Sequence, residues 1–220
     1  METQAEQKKH TGVLKTIYER RAVRKYISKP VPKYLIEQVI DAGRMAPSAI
    51  NKQPWKFYVL NDSETLKILS KEIMKAAAKR ILHTGLKGIL KTVKDSLHFA
   101  NGMKFIEEDD PVFHGAPVAI FITGSKDNEW ASLDIGMCAQ NMMLAAKELG
   151  LESCPVGLAK FVEQTKSFPK LKIPGSEQVH LAVIIGYGDE TPEIHERKTD
   201  NAIYIAPINF DHVDQDQDGE

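Results

Sequence analysis

A single compact α/β domain is the fold class this chain predicts, and three features carry the expectation. Its 220 residues, 42% of them hydrophobic, can bury one sizeable core. Apolar residues recur at helical spacing in several segments, and short apolar runs lie between them. No internal repeat, low-complexity tract or interdomain linker divides the chain.

Taken in order, residues 33 to 46 carry Leu35, Ile36, Val39, Ile40 and Gly43 on one helical face, entered from Pro32 and stopped by Pro47. Lys56 to Leu60 reads as a short strand. Ser63 and Glu64 open a helix whose periodic Leu66, Leu69 and Ile73 carry it towards Arg80. Residues 81 to 112, interrupted by Gly85 and Gly88 and ending near the acidic Glu107-Glu108-Asp109-Asp110, read as helices with a flexible cover. Val118 to Thr123 is a buried strand by its unbroken apolar run. The helix expected from about Glu129 to Leu149 is apolar over too much of its circumference for a surface element, so it belongs in the core or at a subunit contact. Dimerisation explains it most simply. Val179 to Tyr187 is a last core strand. Asn201 to Phe210, with Ile203, Ile205 and Ile208, alternates like an extended arm suited to wrapping a partner. Residues 211 to 220 hold Asp211, Asp214, Asp216, Asp218 and Glu220 with no base, and read as a disordered acidic tail beyond a domain of residues 1 to 210.

The net charge of −1, from 29 Lys and Arg against 30 Asp and Glu, provides no global field for nucleic acid or an anionic membrane. No apolar run approaches the roughly 18 residues that span a bilayer. Two cysteines, Cys138 and Cys154, without Cys-x-x-Cys spacing, and an opening that lacks an apolar signal region, make a reducing cytoplasm the expected location. The seven histidines show no H-x-x-x-H spacing, so no metal site is expected. No serine lies in a nucleophile elbow. Gly186-Tyr187-Gly188 lacks a third glycine and a following helix, and Pro192 stands soon after, which argues against a dinucleotide-binding phosphate loop.

Charge is nevertheless unevenly placed. Residues 15 to 33 carry seven bases (Lys15, Arg20, Arg21, Arg24, Lys25, Lys29 and Lys33) against Glu19 alone, and three guanidinium groups fall within Arg20-Arg21-Ala22-Val23-Arg24. Such a cluster invites a phosphate, although a solvated basic stretch is about as common. Downstream, Ala46-Pro47-Ser48-Ala49-Ile50-Asn51-Lys52-Gln53-Pro54-Trp55 places a hydroxyl and two amides after a helix stop. These groups can hydrogen-bond a flat heterocycle or a polyol, where the ordinary reading is a turn. Cys154-Pro155-Val156-Gly157 reads more readily as a buried small residue before a bare backbone than as a reactive thiol.

The order of these motifs resembles the nitroreductase family of FMN-dependent oxidoreductases, which opens on Arg-Arg-Ser-x-Arg, then Pro-Val-Pro, then Ala-Pro-Ser-x-x-Asn-x-Gln-Pro-Trp. Phe113-His114-Gly115-Ala116-Pro117-Val118, Asp134-Ile135-Gly136, the run Leu149 to Gly157, and Ile185 to Pro192 extend the resemblance to the C-terminal region. It implies an α+β fold: three α/β/α layers, a central mostly antiparallel sheet, a long interface helix, and a C-terminal arm exchanged in a homodimer. It implies FMN at each subunit interface, reduced by NADH or NADPH and reoxidised by a small electron-poor acceptor such as a nitroaromatic or quinone.

By the same resemblance, Arg20, Arg21, Ala22 and Arg24 contact the phosphate and isoalloxazine, with Ala22 lacking the family's serine hydroxyl. Pro47, Ser48, Ala49, Asn51 and Gln53 reach the FMN held mainly by the other subunit, with Gln53 orienting the loop and Ala49 lacking a hydroxyl often found there. Pro155, Val156, Gly157 and Leu158 lie beside the flavin, where a main-chain N–H near Gly157 or Leu158 donates to N5. Arg197 and Lys198 close over the phosphate. No side chain is assigned as catalytic, because flavin N5 carries the chemistry. Two alternatives stand beside this reading. One is the same fold with another reaction, such as reductive dehalogenation, flavin destruction or dehydrogenation, differing in the cover sought at residues 81 to 112. The other is a non-catalytic flavin-binding protein.

Overall fold

The structure is a computed structural model that describes residues 11–83, 109–203 and 205. Most of the 81–112 cover, the end of the arm and the acidic tail lie outside these residues. The described part of the arm, including Ile203 and Ile205, is exposed.

The apolar runs become strands of one antiparallel sheet. β1 is Lys56–Leu60, β2 Val118–Ser125, β3 Glu152–Val156 and β4 Glu177–Gly186, in the spatial order β1-β2-β4-β3. Helices α1 (Gly12–Glu19), α2 (Lys33–Arg44), α3 (Ser63–His83) and α4 (Ala131–Glu148) pack around it. β2 shows no polar alternation because helices cover both of its faces. Val118, Ile120 and Ile122 pack with Val39, Ile135 and Met142 of α2 and α4. Ala119 and Phe121 turn the other way, onto Leu66, Leu69 and Ile73 of α3. The result is the three-layer α/β/α arrangement expected. Each fully buried large side chain contributes about 1.5–3 kcal/mol.

α2 and α4 approach closely at Gly43. A Cβ added there would stand 2.7 Å from Met142 Cγ and 3.1 Å from Cys138 Sγ, so the bare backbone sets the helix spacing. Pro155 interrupts β3 at an edge strand, where a missing N–H is tolerated. Where strands β1, β2 and β4 meet, Glu177, only 5% exposed, accepts from Lys56 Nζ (2.5 Å), Tyr58 OH (2.9 Å) and Thr123 Oγ1 (2.6 Å). Burial alone would raise this carboxyl's pKa, but the hydrogen bonds hold it below its ordinary value.

Candidate active site

The arginine segment follows α1 directly. Arg20 N–H closes the helix on Thr16 O (2.9 Å), and the chain then runs extended along the outer edge of β3. Ala22 forms a parallel bridge with Ser153, and Val23 N–H donates to Ser153 O (3.1 Å). Tyr26 bridges Gly188, Ile27 N–H donates to Tyr187 O (2.8 Å), and Arg24 N–H donates to the Glu190 carboxylate. Val23, 1% exposed, pins the segment by its side chain. The fold thus joins residues 20–27 to two places far away in sequence, Ser153 and residues 187–190.

The polar groups along this edge are incompletely satisfied. Arg21 Nη1 turns back onto Tyr18 O (2.5 Å) and Arg20 O (2.7 Å). Arg20 Nε, Arg21 Nε and Ser153 Oγ are buried and have no hydrogen-bond partner among the described residues. Burial pushes the Cys154 thiol pKa up, while Arg24 and Arg20 pull it down, so both guanidinium groups stand near the sulfur. Beyond β3, Pro155 and Gly157 are exposed, Leu158 is half-buried and Val156 is buried, with a 3-10 turn running from Gly157 to Gln164. A Cβ on Gly157 would meet nothing within 4 Å, so its own chain does not require a glycine there.

The second motif forms a self-bonded loop. Pro47 is exposed; Ser48 Oγ accepts Gln53 N–H (2.9 Å), and Gln53 Nε2 donates to Asn51 Oδ1 (3.1 Å). Gln53 thus closes the loop on itself through both its main chain and its side chain. The Ser48 hydroxyl proton and the Asn51 NH₂ remain available to donate outward. Ala49 N–H is shared between the two oxygens of Asp134 on α4 (3.3 and 3.4 Å), a carboxylate 1% exposed. Ile50, Asn51 and Gln53 all have positive φ (47°, 56° and 45°), and Ile50 is 87% exposed. A β-branched residue in this region is strained, and such strain gathers at ligand clamps.

Register sets the two motifs at diagonally opposite corners of the sheet. The loop enters β1 at Lys56, which pairs with Thr123 and through it with Val179, whereas Ser153 pairs with Ile185. Val179 to Ile185 is about 20 Å along a strand, and β1 to β3 is about 14 Å across. One small ligand cannot touch both motifs of one subunit. Arg197 and Lys198 are exposed, with Arg197 Nη1 donating to His195 O (3.1 Å), a bond within their own segment.

Several residues here escaped the sequence reading. Ser153 is a buried hydroxyl in an apolar stretch, and Glu190 reaches Arg24 only through the fold. A cleft of about 630 Å³ also adjoins the arginine segment, lined by Ala22, Arg24, Lys67, Asp110, His114 and Glu190 among others. Burial first, and then Arg24, lowers the His114 pKa. Among the described residues no helix is long and apolar enough to cross a membrane, and no group of three or more His, Cys, Asp and Glu could hold a metal ion.

Comparison with known proteins gives a consistent result. The model of the Nitroreductase family matches residues 17–187. A 4-nitrobenzoate reductase from Pseudomonas putida is 31% identical over 201 residues, covering 80% of this chain and 85% of the relative. A chloronitrobenzene nitroreductase from Comamonas testosteroni is 26% identical over 204 residues, covering 82% and 88%. The solved structure of a nitroreductase with bound FMN from Bacteroides fragilis superposes with a TM-score of 0.70 at 24% identity, covering 90% of this chain and all of that one, which shows the shared fold. With the motifs bracketing its sheet and the family match running through both, the chain belongs to the nitroreductase family.

Proposed function

We propose that the protein is an FMN-dependent oxidoreductase that oxidises NADH or NADPH and reduces an electron-poor small molecule, a nitroaromatic or a quinone, as a cytoplasmic homodimer. The observation that carries the reading is the set of buried donors without acceptors, Arg20 Nε, Arg21 Nε and Ser153 Oγ, on the edge that bears the family's opening motif. A buried polar group left unpaired costs about 1–3 kcal/mol, and phosphate oxygens would satisfy these. The open space over Gly157 fits the close approach of a flat ring.

When bound, FMN would supply the electron-transfer chemistry between the nicotinamide donor and the acceptor. The chain's own task is placement. Arg20 and Arg21 hold the phosphate, with Arg197 and Lys198 closing over it. Arg24 would set positive charge beside the pyrimidine edge of the ring. The main chain at Pro155, Val156, Gly157 and Leu158 lines the ring, and an N–H at Gly157 or Leu158 donates to N5. From the partner, Pro47, Ser48, Ala49, Asn51 and Gln53 complete the pocket. Ala22 contributes backbone only.

The diagonal separation of the two motifs supports the shared site, since a second copy is the simplest way to bring them to one ligand. Exposed Ile50, Met45, Trp130 and Leu133, all near the loop or the start of α4, supply apolar surface for that contact. The free, buried Cys138 and Cys154 suit a reducing compartment.

Purified protein should be yellow and should bleach on anaerobic addition of NADH or NADPH; a colourless protein that takes up no FMN overturns the proposal. The shared site has its own test. Arg20→Ala and the double variant Ser48→Ala/Asn51→Ala should each lose FMN as homodimers. Mixed dimers should recover half the sites, because one pocket then carries all the damage. Absence of recovery in verified mixed dimers would mean that each subunit binds alone.

A further inference from the structure

The 3-10 turn from Gly157 to Gln164 is held at its two ends by different means. At the near end β3 pairs with β4 as far as Val156, which faces Ala182. At the far end there is no strand to pair with, because residues 177–181 of β4 lie beyond the end of β3. Val179 is on that overhang, and its N–H donates to Glu163 Oε1 at 2.7 Å. A carboxylate thus takes the place of a strand partner. Val179 is fully buried, so removing Glu163 takes the acceptor from a buried residue's N–H.

The overhang is itself braced. Ile122 of β2 faces Leu181 and Thr123 faces Val179, which leaves His180 as the extra residue of a β-bulge. Bulges gather beside active sites, where they re-aim a side chain. Here the extra residue is turned to α4: His180 Nδ1 lies 3.0 Å from Ser132 Oγ. Glu163 therefore reaches a backbone position that is fixed from two sides, by the pairing with β2 and by the tie to α4.

Between its anchors the turn is packed on one side only. Ala159 and Val162 are fully buried in the cluster that holds Leu66, Leu69 and Ile73 of α3, whereas Gly157 and Lys160 are exposed. Thr165 closes the turn directly after Glu163, its N–H and its hydroxyl both donating to Val162 O (3.0 and 2.6 Å). Two buried side chains leave the tilt of the turn about them to be set by its ends. The main chain at Gly157 and Leu158, which lines the flavin under the proposed function, moves with that tilt.

We propose that Glu163 is a positioning residue for the flavin: its bond to Val179 sets the tilt of the 157–164 turn and so the approach of the main-chain N–H at Gly157 or Leu158 to the ring. The inference rests on the proposed FMN site and adds what holds its donor in place. A donor aimed at N5 favours the oxidised ring, where N5 offers a lone pair, over the reduced ring, where N5 carries a hydrogen. Loosening the turn therefore raises the reduction potential of the bound cofactor.

The test measures the midpoint potential of bound FMN by anaerobic dye titration in wild type, Glu163→Ala, Glu163→Gln and Ile120→Val. Glu163→Ala should raise the potential by about 30 mV or more, a tenfold change in the oxidised-to-reduced preference of a two-electron couple. Glu163→Gln keeps an oxygen acceptor for Val179 N–H and should stay near wild type. Ile120→Val loosens the core on the other face of the sheet and should leave the potential unchanged. Hydrogen exchange in the apoprotein is the second readout: amides of 157–164 and of Val179 should exchange faster in Glu163→Ala, with residues 182–185 of β4 as in wild type. If the alanine variant fails to fold, Glu163→Asp, whose carboxylate is one methylene short of Val179, takes its place and should show the same two changes. An unchanged potential on loss of the bond, an equal rise in Ile120→Val, or a glutamine variant that behaves like alanine overturns the proposal. Failure of the underlying reading looks different: wild type then takes up no FMN at all.

Discussion

Two polar clusters lie on one sheet and are finished differently. At the Glu177 end, a buried carboxylate ties β1, β2 and β4 together through Lys56, Tyr58 and Thr123. At the outer edge of β3, Arg20 Nε, Arg21 Nε and Ser153 Oγ are also buried and find no hydrogen-bond partner among the described residues. Folding alone selects for clusters of the first kind, because a half-satisfied network is costlier than an apolar one. A cluster of the second kind is stable when something outside the chain completes it. The difference separates a polar group kept for architecture from one kept for a ligand.

The sharpest way to break this comparison is Arg20→Ala, which should weaken FMN binding by about 10- to 100-fold, the equivalent of 1.5–3 kcal/mol for a charged hydrogen bond, while leaving the unloaded protein folded. Fluorescence titration with FMN beside a thermal melt of the apoprotein reads both quantities. Equal losses in the two would make the β3 edge architectural as well.

Glu177→Gln should do the converse, destabilising the fold by roughly 1–3 kcal/mol in urea with FMN affinity unchanged. Because the native carboxyl is held below its ordinary pKa of 4.5, its contribution is complete above that value and declines as pH falls through the native pKa. The stability gap between wild type and variant should therefore narrow below about pH 4.5. A gap that widens with acid would reverse the sign assigned here.

A smaller effect is expected in the loop, which carries backbone strain rather than unpaired donors. Ile50→Asn places a residue that tolerates left-handed backbone at φ 47° and should stabilise the apoprotein by about 1 kcal/mol. Loss of stability on this change would show that the exposed isoleucine contributes more by packing than it costs in conformation. The smallest expected signal is a null one at the thiols. Burial pushes Cys138 up to about 12 and raises Cys154 despite the nearby Arg24 and Arg20, so neither should react with a disulfide reagent in the native state at pH 8. Rapid labelling of Cys154 would show that the β3 edge is open to solvent.

Much of this architecture was legible beforehand because periodicity reports burial. The strand at Lys56–Leu60 and the helix beginning at Ser63 coincide with the sequence reading, and α2, α4, β2 and β4 agree within about two residues at each end. β3 was not read as a strand, since Glu-Ser-Cys-Pro-Val lacks β-branched alternation and contains a proline that only an edge position accommodates. α1 was missed too, although Val13, Leu14, Ile17 and Tyr18 fall at helical spacing; that apolar face is exposed and Thr16 is the buried residue. The arginine cluster and the Ser48–Gln53 loop were legible as motifs. Their diagonal placement was not, because it depends on strand order, and neither was Ser153, whose significance comes from sitting beside Ala22.

The contact at Gly43 carries a consequence for variation in this protein. α2 leads directly into the Ser48–Gln53 loop, α4 carries the Asp134 that holds Ala49, and the two helices touch where Gly43 meets Met142. Loop position is thus inherited from the thickness of the helix pair about one turn behind it. A search for altered acceptor range should therefore include conservative size changes at Gly43, Cys138 and Met142. Such changes would shift the aim of the loop without altering any of its residues.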